Sequence, residues 1–483
     1  MKLRGWAVVV GSLACAATVA VWHDVAPRRL PIASETAARI SPSQDRTANA
    51  PRVRAPLAVD RTAVRGTTNP AVLGPVRPLL TLAGSEPPRR DGVFSLYPVR
   101  IDERQAVEAM SSGRLSIPMP DGSPLDLAFE HAIDHGDGNW SWIGTADGGS
   151  GTQRAVITFG PDGVAATLPD NDGRQVKLTL QGGQTYLATA PLSSLRVGVN
   201  PLGDGITPPV LPSGAKVSTG AFTQALQPLA GVDMQSVAQG AQEAVGGQAT
   251  VDVLVVYSDG FRLAKGSPSA AVTELTNRFD VANQVLRNSQ LPATFRMVHA
   301  QEAESADDTD NGALLEAIRG NTPWIQDMRD QYGADLVTFV REYNAANNSC
   351  GVAYIPPGDY AADGDLMYSV VSDGSLPDGY YCEPTTLAHE LGHNLGAQHN
   401  HEQDATGALF PYAYGYRNFS AQFYDVMAYG PDPEQRFWTF SNPDTQCKGL
   451  PCGVVDYADV SKALRQTLPV AAGFRPTKIA KSP

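Results

Sequence analysis

The sequence predicts an α/β (α+β) domain, helices packed on a twisted mixed sheet, over residues 249–475, preceded by a small mainly-β unit over 92–200. Three observations predict this. The last part of the chain alternates β-branched apolar runs with helical apolar spacing, the order that builds a sheet covered by helices. The middle part carries short alternating runs separated by turn residues. At 483 residues the chain exceeds one ordinary domain.

The elements follow in order. Lys2 and Arg4 precede an apolar run from Trp6 to Val21, with the small residues Thr18-Val19-Ala20 near its end. This is the pattern of a signal peptide over 1–20. A retained anchor is the alternative, but about 16 apolar residues are short for a span of about 20. Ser12 stands three before Cys15, where a lipoprotein signal usually has Leu. Residues 21–91 are rich in Pro, Arg, Ala and Thr without apolar period, as in Pro87-Pro88-Arg89-Arg90, and read as a disordered linker.

In 92–200, Val156 to Phe159, Val176 to Leu180 and Thr185 to Ala188 read as strands, the last two joined at Gly182-Gly183. Trp140 and Trp142 bracket Ser141 as in a half-buried strand. Residues 201–248 read as a second linker carrying a maturation site near Gly246 to Asp252.

In 249–475, Val251 to Tyr257 reads as a buried strand. Val272, Leu275, Phe279, Ala282 and Leu286 form one apolar helix face. Thr294 to Val298, Asp335 to Val340 and Met367 to Val371 read as further strands. Asn311 to Tyr332 reads as helix broken near Gly320 to Pro323, and Tyr457 to Leu468 as a terminal helix; 476–483 is a tail.

Net charge is −13, which argues against nucleic acid as a partner, since phosphate binding needs clustered Lys and Arg. Of five cysteines, Cys15 falls in the leader and four remain: Cys350, Cys382, Cys447 and Cys452. An even count behind an export signal points to two disulfides rather than free thiols. Three pairings exist. Cys447–Cys452 closes a short loop, and Cys350–Cys382 ties a strand region to the helix described next; this pairing is favoured. The implied location is secreted or extracellular, with the periplasm as alternative and no membrane association once the leader is cut.

The chemistry lies in His389-Glu390-Leu391-Gly392-His393-Asn394-Leu395-Gly396-Ala397-Gln398-His399. Four residues apart on a helix, His389 and His393 point to one side, the spacing of two ligands of one Zn²⁺. Leu387, Leu391 and Leu395 lie about 200° around and anchor the helix in the core. Thr385 or Thr386 can cap its N-terminus. Gly396 can take a positive φ and turn the chain, bringing His399 back as third ligand. Three neutral ligands leave a position open for water, and Glu390 stands where it can take that water's proton.

This stretch resembles the extended metzincin signature in every fixed position. The resemblance implies a metzincin-like fold and a zinc-dependent endopeptidase of protein or peptide substrates. It also implies a Met-containing turn under the zinc, which Asp425-Val426-Met427-Ala428-Tyr429 matches. Met427 then forms an apolar floor, and Tyr429 either contacts zinc, stabilises the oxyanion or packs. Asn400 after the third ligand, the following His401 and the Met-Ala-Tyr turn are most similar to bacterial reprolysin-like enzymes, including the peptidyl-Asp metalloendopeptidases. That likeness extends over about 225 residues and implies cleavage beside acidic residues, with Arg417 or Arg436 as the cation in the specificity pocket.

His401 itself reads as a surface residue. Asp307, Asp308 and Asp310 do not fit an EF-hand loop and read as a helix N-terminal region, leaving Ca²⁺ without support. Met367 to Val371 is expected as the sheet edge that pairs with extended substrate. The front half reads as a propeptide and inhibitor of its own enzyme, with a retained accessory domain as alternative. No Cys lies between Cys15 and Cys350, so a carboxylate or imidazole such as Asp134, His131 or His135 is expected over the zinc. Two other readings compete: an inactive binding or adhesion protein on the same fold, against which the intact Glu390 and histidines argue, and a zinc hydrolase of cell-wall peptides.

Overall fold

The computed structural model describes residues 41–42, 78–84, 87–146, 151–197, 204–206, 248–320, 322–404, 406–430 and 434–478. The expected signal peptide, most of both linkers, Gly246-Gly247 and the end of the tail lie outside them.

In the front unit the chain runs β1 (Leu80–Leu82), β2 (Arg89–Asp91), β3 (Phe94–Ile101), α1 (Glu103–Ser112), β4 (Arg114–Pro118), β5 (Pro124–Asp134), β6 (Trp140–Ala146), β7 (Ala155–Gly160), β8 (Gly163–Thr167), β9 (Arg174–Gln181) and β10 (Gln184–Pro191). Neighbours pair antiparallel in the order β1-β3-β10-β9-β8-β7-β6-β5-β4, with β2 on β3. The Gly182-Gly183 turn has positive φ at both residues (56° and 80°), as a two-residue hairpin matching strand twist demands. Leu79 N–H donates to Ser116 O at 2.8 Å and Pro78 bridges Ser116, so the two ends of the sheet meet and it curls into a barrel. Trp142, Leu115, Leu127, Ile157 and Leu178 fill it, with Ala106 and Ala109 of α1 packed against them.

Two features depart from expectation. Strands β1 and β2 lie in the stretch read as linker: pairing with the downstream strand β3, not local periodicity, recruits them. Helix α1 was not anticipated, its apolar face being built largely from alanines.

The second part contains β11 (Gly205–Ile206), β12 (Ala249–Ser258), α2 (Asp259–Lys265), α3 (Pro268–Asn288), β13 (Ala293–Glu304), α4 (Asn311–Gly320), α5 (Pro323–Tyr332), β14 (Leu336–Glu342), β15 (Gly351–Tyr354), β16 (Tyr368–Asp373), α6 (Thr386–Asn394), β17 (Asn442–Cys447), β18 (Leu450–Cys452) and α7 (Val460–Ala471). The long sheet has the order (Ser41–Pro42)-β13-β12-β14-β16-β15-β11. Strands β13, β12, β14 and β16 run parallel, β15 opposes β16, and β11 runs parallel to β15. Val251 to Val256 is buried throughout, because helices cover both faces of parallel strands.

The expected edge strand is corrected here. Residues 368–373 lie inside the sheet; four-residue β15 lies outside them, and β11 outside that. A four-residue strand opening on Gly351 carries too little pattern to be read from sequence.

The described residues from 78 onward pack as one compact unit. Helix α3 lies between the two sheets. Ser267 accepts from Ala270 N–H at 3.0 Å and Pro268 opens the first turn, a well-capped start. Its apolar face, with Leu275, Phe279, Ala282 and Leu286, joins the core over the long sheet. Its polar face is also buried, against the barrel. Asn277 Nδ2 donates to Val156 O (2.9 Å) and Thr158 Oγ1 (3.1 Å), and its Oδ1 accepts from Thr167 Oγ1–H (2.8 Å). Two disulfides are present among the described residues. Cys350–Cys382 joins the start of β15 to the chain entering α6, and Cys447–Cys452 closes the β17–β18 hairpin. Among the described residues no helix is long and apolar enough to cross a membrane.

Candidate metal centre and cleft

Helix α6 is held on its apolar side by Leu387, Leu391 and Leu395, all buried in the core. Asn394 Nδ2 donates to Tyr354 O (2.9 Å) and Tyr368 O (3.0 Å), clamping the helix to β15 and β16. Neither threonine caps it. Thr385 makes no side-chain cap bond, and Thr386 Oγ1 donates to Glu383 O at 2.8 Å. Gly396 has φ +94° and a Cβ there would meet Leu409 at 2.6 Å, so the turn that returns the chain to His399 needs glycine.

The Nε2 atoms of His389, His393 and His399 converge, with separations of 3.0, 3.1 and 3.2 Å. The other ring nitrogens are committed. His389 Nδ1–H donates to Val426 O (2.8 Å), His393 Nδ1–H to Ala397 O (2.9 Å) and His399 Nδ1–H to Asp404 Oδ2 (2.5 Å). With those tautomers and neutral rings, as metal ligation requires, three lone pairs face one another in a buried site. Such a set is repulsive unless a cation sits among them. The edges approximate those of a tetrahedron drawn at the about 2.0–2.1 Å Zn–N distance, and every ring has an outer partner. The residues therefore fit zinc.

Burial lowers the His389 pKa to about 4 and lowers that of His393. Burial acts the same way on His399, but the carboxylates of Asp204 and Asp404 outweigh it and hold its pKa at about 9. Asp204 completes the cluster. Its Oδ1 lies 2.5 Å from His399 Nε2, 3.5 Å from His393 Nε2 and 3.7 Å from His389 Nε2. Tyr429 Oη–H donates to its Oδ2 at 2.5 Å and lies 3.3 Å from His389 Nε2. Burial opposes charge on Asp204, yet the His399 and His389 imidazoles hold its carboxyl well below the ordinary range.

Glu390 is buried, its Oε2 has no hydrogen-bond partner, and burial together with the Asp204 charge pushes its carboxyl well above the usual range. It packs on β15, where a Cβ at Gly351 would come within 2.2 Å of Glu390 Oε1. Met427 is fully buried under the helix; a Cβ at Gly392 would meet its Sδ at 2.6 Å. Asn400 Oδ1 accepts from Tyr429 N–H at 3.4 Å, so the residue after the third histidine steadies the tyrosine.

A cavity of about 900 Å³ adjoins the centre, lined by Thr385, Arg417, Tyr424, Tyr429 and Arg436 on one side and by barrel residues including Leu168 on the other. Arg417 is spent on Glu434, which accepts from its Nε (2.7 Å) and Nη2 (2.6 Å). Arg436 is buried against Glu383 and beside the Tyr429 ring, and its Nε and Nη2 have no hydrogen-bond partner.

Other expectations are corrected. Asp134, His131 and His135 are not at the centre: His135 Nε2 meets Asp280 Oδ2 (3.1 Å) and His131 meets Arg287, both on α3. These residues sit on the barrel strand facing α3, so the sheet carries them away from α6. His401 is half-buried, stacked between Tyr414 and Tyr457. Asp310 Oδ1 accepts from Ala313 N–H at 3.0 Å, at the N-terminus of α4. Sequence reasoning missed Asp204 and Asp404. Asp404 lay five residues past His399 with no spacing rule to mark it, and Asp204 stood in a stretch read as linker.

Residues 247–458 match the family described as Metallo-peptidase family M12B Reprolysin-like. Three curated relatives are each named peptidyl-Asp metalloendopeptidase. That of Pseudomonas aeruginosa is 32% identical over 257 residues, covering 48% of this chain and 41% of the relative. That of Xanthomonas campestris pv. campestris is 30% identical over 244 residues, covering 49% and 54%. That of Stenotrophomonas maltophilia is 27% identical over 247 residues, covering 49% and 55%. The chain spans about half the length of the curated relatives it matches.

Proposed function

We propose, from the premise that residues 247–458 form a reprolysin-like metallopeptidase domain, that this chain is a secreted zinc-dependent endopeptidase made as a zymogen. The convergence of three Nε2 lone pairs, each backed by a committed Nδ1–H, carries the reading. His389, His393 and His399 hold the ion. When bound, zinc supplies Lewis acidity for attack of water on a peptide carbonyl. Glu390 is the general base: its buried Oε2, which has no hydrogen-bond partner, takes the water's proton and passes it to the leaving nitrogen. Met427 keeps the floor of the centre apolar. Tyr429, once its hydroxyl is free of Asp204, donates to the oxyanion.

The name shared by the relatives supports a preference for acidic residues at the cleavage site. Arg436 is the better cation for it than Arg417, because Arg417 is already bidentate on Glu434 while two Arg436 nitrogens have no partner. Arg436→Gln should cut kcat/KM on Asp-containing peptides at least about 30-fold, the equivalent of about 2 kcal/mol for losing one partner of a buried charge pair. Arg417→Gln should leave the preference intact.

The test of the main reading is casein digestion by the chain freed of its front part, wild type against Glu390→Ala, each with and without a zinc chelator. The expected loss in Glu390→Ala is about 10²–10⁴-fold, with zinc-restorable activity in the wild type. No activity from folded, zinc-loaded protein on casein, with release of peptides from purified cell wall, would move the assignment to cell-wall peptides. Silence on both would favour a binding protein.

A further inference from the structure

We propose that Asp204 is the latch of the zymogen: its carboxylate is the fourth protein ligand of the zinc in the uncut chain, carried into the cleft on the strand Gly205–Ile206. This rests on the metallopeptidase reading and goes beyond it by naming the group that silences the centre.

Four observations carry it. First, Asp204 Oδ1 faces the point where the three Nε2 atoms converge, the place left by a three-histidine site for its fourth ligand. The atom is buried without a hydrogen-bond partner, and a neutral His399, whose Nδ1–H goes to Asp404, offers it only the Nε2 lone pair. Two acceptors 2.5 Å apart need a cation between them or an additional proton.

Second, the other carboxylate oxygen captures the Tyr429 hydroxyl, so one residue engages both the centre and the oxyanion donor.

Third, the backbone that delivers Asp204 uses the substrate's place. Ala353 N–H donates to Asp204 O (2.9 Å) and Ile355 N–H to Ile206 O (2.8 Å), so β11 occupies the free edge of β15. An extended substrate needs the same donors for strand addition.

Fourth, Gly205 is required by the approach. A Cβ there would meet Ile355 Cδ1 at 2.5 Å and the His393 ring at 2.9 Å.

Asp204 thus stands in for the missing propeptide cysteine. Cleavage between residue 206 and β12 would release the strand, and with it the ligand, the tyrosine and the edge.

The test uses the intact chain, with Glu390→Gln in every arm to prevent self-cleavage and Co²⁺ in place of Zn²⁺. The readouts are the visible absorption of bound Co²⁺ and the rate of metal loss to a chelator. Asp204→Asn should change the absorption spectrum and speed metal loss about 10–100-fold. Gly205→Ala should do the same more weakly, and Asp134→Asn should do neither. A companion measurement needs no variant at residue 204: acetohydroxamate should fail to perturb the spectrum of the intact chain and should perturb it after residues before 248 are removed. Identical spectra and metal-loss rates with and without Asp204, or hydroxamate binding by the intact chain, would overturn the latch while leaving the metal centre standing. Failure of the intact chain to bind one Co²⁺ at all would instead sink the metallopeptidase reading.

Discussion

At the scale of single residues, the centre is decided by what each histidine does with its outer nitrogen. His389 and His393 use backbone carbonyls, which no side-chain change removes; His399 uses a carboxylate, Asp404. Asp404→Ala is therefore the change that weakens metal binding without touching a ligand, by about 10–100-fold in affinity, measured by chelator competition. Gly351 acts on the base. Gly351→Ala pushes a methyl into Glu390, and kcat should fall by roughly 10²-fold with zinc content unchanged, read from steady-state kinetics and metal analysis. Asp335 reports on the core. Burial, with the neighbouring Asp252 charge, raises its pKa from 3.8 to about 7. The folded state holds this proton more tightly than the unfolded state. Its contribution to stability is therefore complete at low pH and declines as pH rises from 3.8 to about 7. Denaturant unfolding across that range should show the decline, and Asp335→Asn should flatten it.

At the scale of elements, α6 works because three constraints meet on it: leucines on one side, Asn394 tied to two strands, and the Gly396 turn at its end. The Cys350–Cys382 bond adds a fourth by joining the start of β15 to the entry of α6. Replacing both cysteines with serine should lower stability by about 2–5 kcal/mol, seen as a lower unfolding midpoint. Spacing made α3, the α4–α5 break and the terminal helix legible, because each buries a continuous apolar face or breaks at Gly and Pro. Spacing could not reveal β15 or β11, which are too short to carry a period and exist through their neighbours' hydrogen bonds.

At the scale of the molecule, the polar face of α3 decides how the barrel and the long sheet meet. Read alone it is a solvated face; in the structure it is buried against the barrel, with Thr273, Asn277 and Asp280 bonded to Asn139, Val156, Thr158, Thr167 and His135. Under the zymogen reading proposed above, a polar interface of this kind lets the helix stay soluble once uncovered. Asn277→Ala should cost the intact chain about 1–3 kcal/mol for the buried groups left unpaired. In the chain freed of its front part the same change should cost no more than about 0.5 kcal/mol. Equal costs in both forms would mean that the barrel contributes nothing through this residue.

What the sequence determined by itself is local. A helix of 3.6 residues per turn places His389 and His393 side by side, a glycine turn returns His399, and the leucines show which side is core. These follow from neighbours within about ten residues, where covalent geometry leaves few choices. What only the tertiary structure decided is which distant groups meet them. Asp204, Tyr429 and Arg436 are brought to the centre by sheet pairing and chain return. No periodic rule links an aspartate in a Gly- and Pro-rich stretch to a helix far along the chain. The strand carrying Asp204 is specified by hydrogen bonds to the outer edge of β15, and those donors belong to backbone, which is the same in every sequence.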